Sequence, residues 1–119
     1  MPLVHHELCF GCGRTNLFGL LLEAEPSGPG SITGRCFIKQ DHQGPEPGTA
    51  HEGVITAALS EAIALARGPQ ARMTTIEVQF LKSAPVGSFL DIEARADPPS
   101  ATATTDGAVV ARATGTYVR

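Results

Sequence analysis

The chain of 119 residues, 42% hydrophobic and 18% charged, is long enough for one packed domain over 1–119 and too apolar for disorder. Its formal charge of −3, with no basic cluster, argues against nucleic acid as the main partner. No apolar run approaches the ~18 residues of a membrane span, no basic-then-apolar leader opens the chain, and three cysteines are an odd number for a disulfide framework, so a cytoplasmic location is expected.

In chain order, "HHELCFGCG" comes first, with Cys9-x-x-Cys12 close behind His5 and His6. Two thiolates and a histidine suit zinc, with Cys36 or another histidine as fourth ligand. The sequence offers no second complete ligand pair, and a redox role lacks the usual strand–helix context. "GLLLEAE" (19–25) reads as a strand, and "EPSGPGS" (25–31) as a loop. "ITGRCFIK" (32–39) alternates Ile32, Gly34, Cys36 and Ile38 against Thr33, Arg35, Phe37 and Lys39, a second strand. The Pro/Gly-rich "DHQGPEPGTA" (41–50) is a loop.

The one convincing helix spans 53–67. It is apolar on nearly every side and must be enclosed by something. Gly68 and Pro69 stop it, with Arg67 in the last turn favouring the dipole. Only strand-like runs follow: "TTIEVQFLKS" with Ile76, Val78 and Phe80 on one side, "FLDIEARA", "ATATT" and "AVVARATGTYV", the last two joined by the Asp106-Gly107 turn. Strand, strand, helix and four strands pack most simply as an α+β domain, an antiparallel sheet of about five to six strands curled around one long helix. A sheet this small leaves open edges, which a second copy of the chain can pair.

These motifs resemble the hotdog-fold acyl-CoA thioesterases, in particular a subgroup that opens with "CFGCGRTNLFGLLL" (9–22). The similarity continues through "HQGPEPGTAHEGVITAALSEAIA" (42–64), "VQFLKSAPVGSFLDIEARA" (78–96) and "VVARATGTYV" (109–118). The resemblance implies a homodimer or dimer of dimers, with sites at the subunit interface that hydrolyse acyl-CoA thioesters. It implies water as the attacking group and neither metal nor organic cofactor, and because the subgroup often carries the same Cys-Gly pattern, the Cys9/Cys12 stretch is expected to be a packed N-terminal turn. Relatives often read His-Gly-Gly followed by an acid nine residues after the histidine, and the backbone N–H of the first glycine faces the thioester carbonyl.

Here His51 matches the histidine, Glu52 stands at the first glycine and Gly53 at the second, while Ser60 occupies the acid's position and Glu61 follows it. One residue turns a helical side chain by about 100° and advances it about 1.5 Å. The expected catalytic group is therefore drawn from Glu61, Glu52, Ser60 and His51. Glu61 replaces the acid or is a structural carboxylate. Glu52 supplies the base or favours the helix start electrostatically. Ser60 bonds the acyl group or back-bonds to a carbonyl. Substrate contacts are expected from Gly53, Thr56, Gln43, Thr74 and Thr75, with Lys82 and Arg67 for the CoA phosphates. Ser60 also leaves open a non-hydrolytic dimer that binds an acyl-thioester or small apolar ligand.

Overall fold

The computed structural model describes residues 3–68 and 72–118. The elements run β1 (Glu23–Gly28), β2 (Ser31–Phe37), a 3-10 turn (Gln40–His42), α1 (Glu52–Arg67), β3 (Arg72–Phe80), β4 (Phe89–Ala96), β5 (Pro99–Thr105) and β6 (Ala108–Val118). The six strands form one antiparallel sheet in the order β1-β2-β4-β5-β6-β3, so β1 and β3 are its edges. All six strands contact α1, which lies in the concave face.

Period-two alternation explains the buried face. Ile32 and Cys36 of β2, Leu90, Ile92 and Ala94 of β4, Ala101 and Ala103 of β5, and Ala111 and Ala113 of β6 all point at the helix. The helix answers with Ile55, Ala58, Leu59, Ala62 and Ile63, a stripe at helical spacing that is 2% exposed or less. Small alanines on both sides let sheet and helix approach closely. Truncating Leu59, fully buried at the centre, would cost about 2–5 kcal/mol. Gly68 closes the helix, donating its N–H to the Ala64 carbonyl at 2.9 Å with φ 95°. Pro69, the other expected stop, lies outside the described residues.

Several bounds depart from the expected elements: β3 ends at Phe80, three residues short of Ser83, and β5 begins at Pro99, two residues before Ala101. β1 begins at Glu23 rather than at residue 19, because Leu21 adopts φ 53° and breaks the extended run. Leu20 and Leu22 are buried instead by donating their N–H groups to the carbonyls of Phe10 and Gly11. β1 also runs on through Pro26 to Gly28; an edge strand tolerates the missing proline donor. Around the helix, enclosure is incomplete: Thr56, Ala57, Ser60 and Ala64 stay only half-buried.

Candidate functional site

The helix start is built by the loop ahead of it. His42 is buried, its Nδ1 accepts the Lys39 N–H at 3.0 Å, and its carbonyl accepts the His51 N–H at 2.8 Å. Burial first, then the nearby Lys39 ammonium, lowers the His42 pKa from 6.5. Gln43 serves the same loop: its Oε1 accepts the Gly48 N–H at 2.7 Å and its amide donates to the Gln40 carbonyl at 2.9 Å. Gly44 passes so close to His51 that a Cβ would stand 2.9 Å from the His51 Cα, which fits only glycine there.

His51 is the N-cap of α1, with φ −61° and ψ 139°. Its Nδ1 accepts the Gly53 N–H at 2.8 Å, which assigns the ring proton of a neutral imidazole to Nε2. The N–H groups of Val54 and Ile55 bond to the His51 carbonyl. Among the described residues no hydrogen bond uses the Glu52 N–H, so it is the free donor at the positive end of the helix.

Glu52 borders a cleft of about 400 Å³ in which Ile55, Phe80 and Leu81 form apolar walls and Glu46, Glu52 and Lys82 are the charged groups. Glu46 is held there by Thr49 Oγ1 and Ser83 Oγ, each 3.4 Å from its Oε1. Nothing in the sequence pattern marks Glu46 or Ser83; both come from loops, joined by the bridge between Thr49 and Pro85.

The structure therefore gathers His51, Glu52, Gly53 and Lys82 at one end of α1 and disperses the other candidates. Ser60 lies about 12 Å further along the axis and directs its hydroxyl at the Met73 sulfur of β3, 3.8 Å away. Thr74 donates to the Thr116 carbonyl at 3.1 Å, and Thr75 follows the bulge in β3, six and five residues along the strand from Phe80. Arg67 is about 22 Å down the helix, stacked 4.7 Å over the Tyr117 ring and donating to the Ala96 carbonyl at 3.2 Å.

Glu61 faces elsewhere. Its Oε2 is 2.7 Å from Nδ1 of His5 and 3.4 Å from Sγ of Cys9, and its side chain is 12% exposed. Gly11 packs directly on it, since any Cβ at that position would overlap the Glu61 side chain. The Cys12 thiol is pushed up to about 12, first by burial and then by its hydrogen bond to Glu61. Cys36 is not part of this cluster: it faces the core from β2, where burial and the Asp91 charge push it to about 12.

No family model and no curated protein matches the chain; similarity is found among solved structures. A thioesterase superfamily protein aligns with TM-score 0.81 at 19% identity over 95% of this chain, which spans only 61% of that protein's length. A mutant of the phenylacetic acid degradation protein PaaI from Thermus thermophilus aligns with TM-score 0.72 at 25% identity, over 82% of this chain and 92% of that one. A Streptococcus mutans protein bound to acetyl-CoA gives TM-score 0.72 at 21% identity, over 81% and 86%. These likenesses, with the six-stranded sheet wrapped on one long helix, show that the chain has the hotdog fold of thioesterase superfamily structures.

Proposed function

We propose that the chain hydrolyses an acyl-CoA thioester in the cleft at the start of α1. The observation that carries this is that Glu52, which has an unpaired helix N-terminal N–H and a carboxylate, lines a cleft that also presents Ile55, Phe80 and Leu81. The N–H and the helix dipole stabilise negative charge developing on the thioester oxygen. The carboxylate takes a proton from the attacking water, the C–S bond breaks, and the departing CoA thiolate receives that proton. Lys82 at the same cleft suits a CoA phosphate. An acetyl-CoA-bound neighbour of the same fold supports the substrate class.

The site is completed by a second copy. β3 is an unpaired edge of nine residues, and the half-buried helix face carrying Ser60 lies beside it. Antiparallel pairing of two β3 strands about Ile76, the centre of Arg72–Phe80, would set Thr75 of the partner subunit opposite Glu77 and Thr74 of the partner subunit opposite Val78.

A second reading, a dimer that binds a thioester without hydrolysing it, is favoured by Ser60, which presents a hydroxyl where the resemblance to the hotdog thioesterases implies an acid. Release of free thiol from short, long and aromatic acyl-CoAs separates the two. Turnover by wild type that Glu52→Gln abolishes supports hydrolysis. Inactivity of wild type on every substrate, with turnover gained in Ser60→Asp, supports binding alone.

A further inference from the structure

We propose that His5, Cys9, Cys12 and Glu61 bind one zinc ion in a closed tetrahedral site that fastens the N-terminal segment to the middle of α1. One ligand atom from each residue lies within 4.8 Å of all the others. Ideal zinc bond lengths place tetrahedral neighbours about 3.6 Å apart for sulfur–nitrogen, about 3.5 Å for sulfur–oxygen and about 3.3 Å for nitrogen–oxygen. The observed separations are 3.7 Å from Cys9 Sγ to His5 Nδ1, 3.6 Å from Cys12 Sγ to His5 Nδ1 and 3.4 Å from Cys9 Sγ to Glu61 Oε2. The His5–Glu61 edge, at 2.7 Å, is about 0.6 Å shorter than a metal-centred edge.

The surroundings are those of a metal–thiolate site. The His5 N–H points at Cys12 Sγ at 3.1 Å, a backbone donor aimed at the sulfur that would carry the charge. Cys9 and Cys12 are held in a tight turn closed by the Gly13 N–H to the Cys9 carbonyl at 2.9 Å. Gly13 must be glycine because a Cβ would collide with the Glu7 and Cys9 backbone. Gly11 brings the turn against Glu61. Two thiols, an imidazole and a carboxylate converge on this one site. A divalent ion replaces the thiol protons and offsets the carboxylate charge. Four protein ligands leave no open position for substrate, so the ion is structural. This inference does not depend on the proposed hydrolysis.

The test uses the full chain purified under reducing conditions. Elemental analysis is expected to find one equivalent of zinc. After stripping, cobalt(II) titration is expected to give the intense visible bands of a tetrahedral ion and a thiolate-to-cobalt charge-transfer band. Cys9→Ser and Glu61→Gln should each weaken or abolish these bands, and His6→Gln, outside the cluster, should leave them unchanged. Far-UV circular dichroism, read alongside, limits the comparison to folded protein. If a variant does not fold, chelator titration of wild type replaces it, with a fall in melting temperature expected as zinc leaves. Folded wild type with both thiols freely reactive and no zinc or cobalt bound would overturn the proposal. A Cys9–Cys12 disulfide, or a cobalt spectrum unaltered in folded Cys9→Ser, would do the same.

Discussion

Oε2 of Glu61 lies 2.7 Å from Nδ1 of His5, so this helical acid is turned to the N-terminal segment and away from the helix start. Glu52, about 13 Å away along the axis, borders the cleft instead. The two carboxylates should separate in one experiment. Glu52→Gln is expected to lower kcat by a factor of about 10² or more while leaving the melting temperature nearly unchanged. Glu61→Gln is expected to lower the melting temperature by several degrees and kcat much less, because it breaks a part-buried contact between α1 and the N-terminal turn. Equal loss of kcat in both variants at unchanged stability would sink the assignment.

Glu52 is the first residue of α1, where proline is tolerated, and His51 already has the extended backbone that precedes proline. Glu52→Pro therefore deletes the free N–H with little cost to the fold. Compared with Glu52→Gln, which keeps that N–H, it should lose a further factor of about 10²–10³ in kcat. Steady-state kinetics of the two variants isolate the backbone donor from the carboxylate. Equal rates in both would show that this N–H does not touch the carbonyl.

Much of the fold is legible in the sequence, because local periodicity decides it. β4 and β6 occupy 89–96 and 108–118, the spans their alternation predicts, and α1 starts one residue before the expected 53. The first strand starts later than its apolar run suggests because Leu21 takes a left-handed φ that no local pattern announces. The site is less legible. Glu61 meets Cys9 across 52 residues of sequence, so the partner that completes the Cys-x-x-Cys turn is invisible until the chain folds. The same holds for Glu46 and Ser83, which two separate loops bring to the cleft of Glu52.

His42 links pH to the geometry of the helix start. Its folded pKa is depressed, by burial first and then by Lys39, with Asp41 opposing. The unfolded chain therefore binds this proton more readily. The stability from neutral His42 is complete above its ordinary value of 6.5, and it is lost as pH falls through the lower folded value. Chemical denaturation between pH 8 and about 5 should show stability dropping below about 6.5. His42→Asn, which keeps an acceptor for the Lys39 N–H, should flatten that decline. An unchanged slope in the variant would assign the acid sensitivity to other groups.

The open edge of β3 makes the last prediction. Its exposed residues include Thr74, Thr75, Glu77 and Gln79, whereas Met73, Ile76 and Val78 are half-buried against the helix side. An edge this long, regular from Thr75 to Phe80 and bordered by a half-buried helix face, is stable alone only at the risk of pairing with other edges. Self-pairing covers both strands and the Ser60 face at once. Light scattering should then find wild type as a dimer or a multiple of it. Thr75→Lys places a charge on the edge where a partner strand would lie, and it should shift the population to monomer and lower thioester turnover in parallel. Monomeric wild type with full turnover would separate the cleft of Glu52 from any second subunit and confine the site to one chain.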